Sequence, residues 1–118
     1  MAHILIVDDE PDVVEFLAEE LELAGWETGT ASNGVEGVLR VLDGGWDALL
    51  MDIRMPELDG INALRIIRRI TPDLPVVTFT GHAGRGEMLE STRLGARACL
   101  LKPITMDKLI ETIRQVLT

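Results

Sequence analysis

Four short stretches hold the side chains able to do chemistry: Asp8-Asp9-Glu10, Asp52, Thr80-Gly81 and Lys102-Pro103. Each directly follows a short apolar run, so neighbouring run ends would bring three aspartates, one ammonium and one hydroxyl to a single spot. Asp8, Asp9 and Asp52 held together repel, and they raise one another's pKa unless a cation sits among them. Mg2+ suits such a cluster, because it takes a few carboxylate oxygens, keeps several waters and bridges to phosphate. A set poor in Cys and His is wrong for zinc. A carboxylate beside Mg2+ and a lysine is also the arrangement for forming an acyl phosphate, since the cations neutralise charge on a transferring phosphoryl group. Thr80 supplies a hydrogen-bond donor to that group.

Taken one at a time, these residues have plainer readings. Asp8, Asp9 and Glu10 suit the amino end of a helix, where the dipole stabilises negative charge. Thr80 suits a turn hydroxyl, Lys102 a surface lysine, and Asp52 a cap or turn residue before Pro56. What weakens these readings together is that all four placements fall at one edge of the expected sheet.

The elements that must position them alternate regularly. Runs at 3–7, 48–51, 76–79 and 98–101 are apolar at nearly every position, the mark of a parallel strand covered on both faces, and a weaker strand lies at 27–30. Helical patterns occupy 11–24, 34–42, 61–69, 86–94 and 106–117, with Pro11 suited to a first turn and Gly25, Gly44 and Gly95 placed where helices stop. Five strand–helix pairs with short loops predict an α/β fold: a doubly wound, five-stranded parallel sheet flanked by five helices, flavodoxin-like in form. With strand order 2-1-3-4-5, the ligand crevice beyond the carboxyl ends of the strands gathers Asp8, Asp9, Asp52, Thr80 and Lys102.

At 118 residues the chain is expected to be one domain over 1–118, able to bury a core without disulfides or structural metal. Its lone cysteine, Cys99, suits a reducing compartment, and no apolar run approaches the roughly 20 residues of a membrane span, so the expectation is a cytoplasmic protein with no membrane contact. The charge is lopsided: residues 1–60 hold 15 acids and 2 bases, residues 61–118 hold 5 acids and 9 bases, and the net charge is −9. That balance argues against direct nucleic-acid binding by this domain, because phosphate backbones are held through clustered Lys and Arg. Arg65, Arg68 and Arg69, with Arg85, Arg93 and Arg97, form the main basic cluster; they suit helix carboxyl ends, with a docking surface as the alternative.

The stretches Ile4-Leu5-Ile6-Val7-Asp8-Asp9-Glu10, Met51-Asp52-Ile53-Arg54-Met55-Pro56-Glu57-Leu58-Asp59-Gly60, Thr80-Gly81 and Lys102-Pro103 resemble the receiver domain of two-component response regulators, in order and spacing and across essentially the whole chain. The resemblance implies that Asp52 accepts a phosphoryl group from a phosphohistidine on a sensor histidine kinase or phosphotransfer protein. It implies that Asp9 binds Mg2+ directly and Asp8 largely through water, with Asp52 and the backbone carbonyl of Arg54 as further ligands. It implies that Lys102 pairs with the phosphoryl group, that Thr80 moves to hydrogen-bond it, and that an output domain or downstream protein reads the change. Such a domain is a switch that phosphorylates and dephosphorylates itself, not a turnover enzyme. A cis bond before Pro103 is usual for the family. Many receivers carry Tyr or Phe three residues before the lysine; here Cys99 stands there, read as a small buried residue at the switch position. Arg54 and His82 lie where receivers vary and where the lifetime of the phosphoryl group is tuned.

Three rival readings fit less well. A pseudo-receiver that never binds Mg2+ would not need the intact Asp8, Asp9, Asp52, Thr80 and Lys102. An aspartyl-phosphate phosphohydrolase puts its nucleophile after the first strand in an Asp-x-Asp pattern, whereas here Glu10 follows Asp8-Asp9. A flavodoxin-type phosphate loop needs Ser and Thr where this chain has three acids.

Overall fold

In a computed structural model, residues 1–55, 58–81 and 85–118 are described. The elements run β1 (His3–Val7), α1 (Pro11–Leu23), β2 (Glu27–Ala31), α2 (Gly34–Asp43), β3 (Ala48–Asp52), α3 (Gly60–Ile70), β4 (Val76–Thr80), α4 (Arg85–Arg93), β5 (Ala98–Leu101) and α5 (Met106–Val116). All strand pairs are parallel and the order is β2-β1-β3-β4-β5, as the alternation predicts.

Side chains of a strand alternate between its two faces, so each all-apolar run feeds two cores. Ile4, Ile6 and Leu50 pack with Leu17 and Leu21 of α1 and Leu109 and Ile113 of α5. Leu5, Val7, Leu49 and Met51 pack on the other face with Val41 of α2 and Ala63, Leu64 and Ile67 of α3. β2 reads weakly because of Gly29, and its glycine has a structural cause: a Cβ there would lie 2.2 Å from the Trp46 ring. That ring also stacks under the Arg40 guanidinium, 5.3 Å from the centroid.

One expectation about the strands is corrected. β5 does not share the burial of β1, β3 and β4: its first three residues are half-buried and Leu101 is exposed. β5 is the sheet edge, so β4 covers it on one side only. Cys99 is accordingly half-buried, not buried, and it lines a groove of about 330 Å3 with Met88, Leu101, Pro103 and Ile104.

Helix ends follow the local chemistry. Asn33 and Asp59 cap α2 and α3 by accepting the N–H of Glu36 and Asn62, both at 2.8 Å. Gly25, Gly44 and Gly95 have positive φ at the helix stops. Part of the basic cluster is used inside the fold: Arg68 donates to the carbonyls of Pro72 (2.8 Å) and Leu74 (2.6 Å), closing the turn before β4, and Arg97 donates to Val116 at the end of α5. No helix among the described residues is long and apolar enough to cross a membrane.

Gly60 fixes the distance between α3 and the end of β3. A Cβ on it would stand 2.3 Å from the carbonyl oxygen of Asp52 and 2.5 Å from the Cα of Ile53, and its N–H donates to Ile53 at 2.7 Å. Those are backbone atoms that cannot swing aside. Gly60→Ala is therefore expected to destabilise the domain by about 2 kcal/mol or more, read as a lower denaturant midpoint at unchanged slope. An unaltered midpoint would show that α3 can slide outward freely.

Candidate functional site

The carboxyl ends of β1, β3, β4 and β5 bring Asp8, Asp52, Thr80 and Lys102 together. Asp8 is 1% exposed, Asp52 4% and Thr80 1%. Asp52, Thr80 and Lys102 line one cavity of about 400 Å3, with Glu10, Arg54, Gly81 and Pro103 completing its wall. The bond between Lys102 and Pro103 is cis.

Two aspartates are held in the same way. Asp8 Oδ1 accepts the N–H of Glu10 at 3.0 Å, and Asp52 Oδ1 accepts the N–H of Arg54 at 3.0 Å, so each carboxylate folds the chain just beyond its strand into a short turn. Their second oxygens face a common cation. Lys102 Nζ lies 3.3 Å from Asp8 Oδ2, 3.3 Å from Asp52 Oδ2 and 3.5 Å from Glu10 Oε1. It also lies 5.0 Å from the Phe79 ring centroid, so an aromatic face supports the ammonium from β4.

In the folded chain the Lys102 ammonium stands among the carboxylates and supplies counter-charge there. The acids grouped most tightly differ from the expected three. One oxygen each of Asp8, Glu10 and Asp52 lie within 4.8 Å of one another. Asp9, half-buried, is outside that set among the described residues, though its charge acts on Asp52. Glu10 carried no separate signal in the sequence, because an acid next to two others before a helix reads as dipole stabilisation. His82, Pro56 and Glu57 lie outside the described residues. Arg54 is exposed, and its guanidinium donates to Glu87 Oε1 at 2.6 Å. The sequence had no means of finding that partner, 33 residues away.

Burial dominates the electrostatics. Desolvation raises Asp8 to about 6, against the bonds it accepts from Glu10 and Lys102 and with help from the charge of Asp52. Asp52 is also raised, by burial first and by the Asp9 charge, with the Arg54 N–H and Lys102 opposing. For Lys102, burial pulls downward, but the charges of Asp52 and Asp8 and its bonds to both outweigh it and leave the ammonium raised.

A stability measurement follows from Asp8. Its pKa is 3.8 in the unfolded chain and about 6 in the fold, so the folded state holds the proton more tightly. Stability from this group is therefore full below about pH 4 and lost as pH rises through about 6, amounting to about 3 kcal/mol at most. Asp8→Asn is expected to raise the melting temperature of metal-free protein at pH 7.5 and change it little at pH 4.5. An equal change at both pH values would contradict the burial argument.

The sequence pattern of the response regulator receiver domain matches residues 4–114. The chain belongs to that family. Among relatives of this receiver is the regulatory protein AtoC of Escherichia coli (strain K12), 40% identical over 115 residues that cover 98% of this chain and 25% of AtoC. The chain spans about a quarter of the length of such relatives and about half of others, such as the CpxR homolog of Haemophilus influenzae. In three dimensions this receiver is similar to a CheY-like receiver domain protein from Methanospirillum hungatei, with a TM-score of 0.96, 28% identity, and coverage of 99% of this chain and 94% of that one. It is also similar to the response regulator TrrA of Thermotoga maritima, solved in complex with Mg(2+)-BeF: the TM-score is 0.91, the identity 33%, and coverage 99% and 100%. Receiver domains are signalling switches, and the buried acids at the strand ends of this receiver fit a phosphorylation and metal site.

Proposed function

We propose that this receiver takes a phosphoryl group onto Asp52 from a phosphohistidine of a sensor histidine kinase or phosphotransfer protein, in a Mg2+-dependent step, and later loses it to water. The observation that carries the reading is the position of Asp52: a nearly buried carboxylate opening on a 400 Å3 cavity, with an ammonium 3.3 Å from one of its oxygens.

In the proposed transfer, an oxygen of Asp52 attacks phosphorus while the P–N bond to the donor imidazole breaks, and the imidazole keeps the electron pair and takes a proton. Lys102 follows the charge from the carboxylate to the phosphoryl oxygens, a short displacement within the same cavity. The Thr80 hydroxyl, on the cavity wall, donates to a phosphoryl oxygen. In the later hydrolysis a water attacks phosphorus, the P–O bond to Asp52 breaks with the electron pair returning to its carboxylate, and inorganic phosphate leaves with the water's oxygen. Thr80 on β4, and Cys99 on the neighbouring β5 opposite Thr78, would carry the change toward the edge of the sheet, where an output domain or downstream protein reads it.

The donor set fits a hard divalent cation, since it consists of carboxylate oxygens with no His or Cys among them. Asp8, Asp9, Asp52 and the backbone carbonyl of Arg54 would hold Mg2+, with Glu10 near enough to add a charge. Bound there, the ion supplies neutralisation of the phosphoryl oxygens. TrrA, which was solved with Mg(2+)-BeF, is the neighbour that supports this choice of metal.

The test is incubation with an acyl-phosphate donor, with Mg2+ or with EDTA, followed by intact mass spectrometry. One phosphoryl addition that requires Mg2+ is expected. Labelling that is equal in EDTA would count against the metal. A protein that takes no label under either condition would leave the pseudo-receiver reading ahead.

Metal binding has its own signature in the melting curve. At about ten times its dissociation constant, Mg2+ is expected to add about 1.4 kcal/mol, a shift of several degrees for a domain of this size. Asp9→Asn should stabilise the metal-free protein by removing a repelling charge and abolish most of that shift. Identical shifts in parent and variant would remove Asp9 from the metal site.

A further inference from the structure

Arg54 stands on the wall between two cavities. One is the 400 Å3 cavity at Asp52; the other is an open groove of about 700 Å3 between α3 and α4, lined by Ile53, Arg54, Met55, Arg65 and Glu87 among others. The base of the residue is fixed beside the phosphoacceptor by its N–H on Asp52 Oδ1, while its guanidinium reaches across to Glu87 in the first turn of α4. A second pair, Arg65 to Glu90 at 3.0 Å, spans the same helices further from the site.

Both pairs are exposed, with Arg54 and Glu87 at 54% and 36%. An exposed ion pair of this kind shifts an equilibrium by no more than about fivefold. A phosphoryl group on Asp52 would offer the same guanidinium two charged oxygens in a fork geometry, inside a cavity that screens less than solvent does, and such a contact is stronger. Resting on the phosphoacceptor reading above, the geometry points to Arg54 as a phosphoryl-contacting residue that Glu87 holds in reserve: phosphorylation of Asp52 draws the guanidinium off Glu87, and α4 loses its tie to the β3–α3 loop. Arg54 thus reports the state of Asp52 to α4 by a path that involves neither Thr80 nor the residue at position 99. No bond is made or broken in the exchange; one ion pair replaces another.

A titration with beryllofluoride in excess Mg2+, followed by calorimetry, tests this on six proteins. Glu87→Gln frees Arg54 and is expected to tighten binding about two- to fivefold. Arg54→Ala should weaken it about tenfold. The double variant should match Arg54→Ala, because Glu87 then has nothing to withhold. Glu90→Gln, which removes the parallel pair, should match the parent. As a second readout, the guanidinium resonances of Arg54 in NMR spectra should move on beryllofluoride addition in the parent. Binding by Glu87→Gln equal to the parent's, or an effect of Glu87→Gln that persists without Arg54, overturns the exchange while leaving the phosphoacceptor reading intact. Beryllofluoride that binds no variant, or binds Asp52→Asn as well as the parent, removes the phosphoacceptor reading and the exchange with it.

Discussion

Asp52→Asn is expected to lose phosphoryl incorporation by on the order of 10³-fold or more, because no neighbouring carboxylate can take over the attack. Asp8 is the nearest candidate. It is fully buried, one of its oxygens is tied to the Glu10 N–H, and burial raises its pKa to about 6, so the protonated form persists toward neutrality and is a poor nucleophile. Glu10 is exposed, and the close polar partner of its carboxylate among the described residues is Lys102 at 3.5 Å. Without fixed geometry the advantage of a held nucleophile disappears. Asparagine keeps the size of the side chain and removes one charge from a crowded cluster, so the variant should melt at or above the parent's temperature in EDTA. The two results together separate lost chemistry from lost fold. A folded Asp52→Asn protein that still takes a single label would move the acceptor to another carboxylate.

Lys102→Ala is expected to be the most destabilising change in the site. It removes the ammonium that sits within 3.5 Å of three carboxylates, two of which are nearly buried. Leaving buried charges without their partner costs about 3–5 kcal/mol, and the partial exposure of Lys102 and protonation of Asp8 bring the expected loss nearer about 2–3 kcal/mol at pH 8. The sign with pH is set by the acids. Losing the cation raises Asp8 and Asp52 further above their unfolded values, so the folded state takes up protons and the loss shrinks below about pH 5, then grows as pH rises. Mg2+ should recover much of the stability and bind as tightly as in the parent or more so, since a competing cation has gone. Denaturant curves at pH 5 and pH 8, with EDTA and with Mg2+, check this; a loss independent of both pH and Mg2+ would mean that Lys102 matters for its methylenes against Phe79 and not for its charge.

Most of the fold is written in short-range pattern. β1, β3 and β4 are apolar at nearly every position because helices cover both faces, and that alone separates a parallel sheet from an alternating antiparallel one. Pro11, Gly44 and Gly95 set helix ends through local backbone constraints that need no tertiary context. Asp8, Asp52, Thr80 and Lys102 were legible as a site because strand ends in a doubly wound sheet meet at one crevice, so position in the pattern stands in for position in space.

The tertiary structure decided what depends on neighbours remote in sequence. β5 and Cys99 read as buried from their composition, yet only the sheet order says that β5 has one partner and an open side. Glu10 and Lys102 are 92 positions apart by number, and nothing local says that the lysine fills the space among the acids. Arg54 read as a residue beside the phosphate, while its guanidinium is held by Glu87 on α4, a contact set by how α3 and α4 lie against β3 and β4. Periodicity and turn chemistry are short-range and survive in one dimension. Long side chains choose partners by distance and dielectric, and these exist only once the chain has closed.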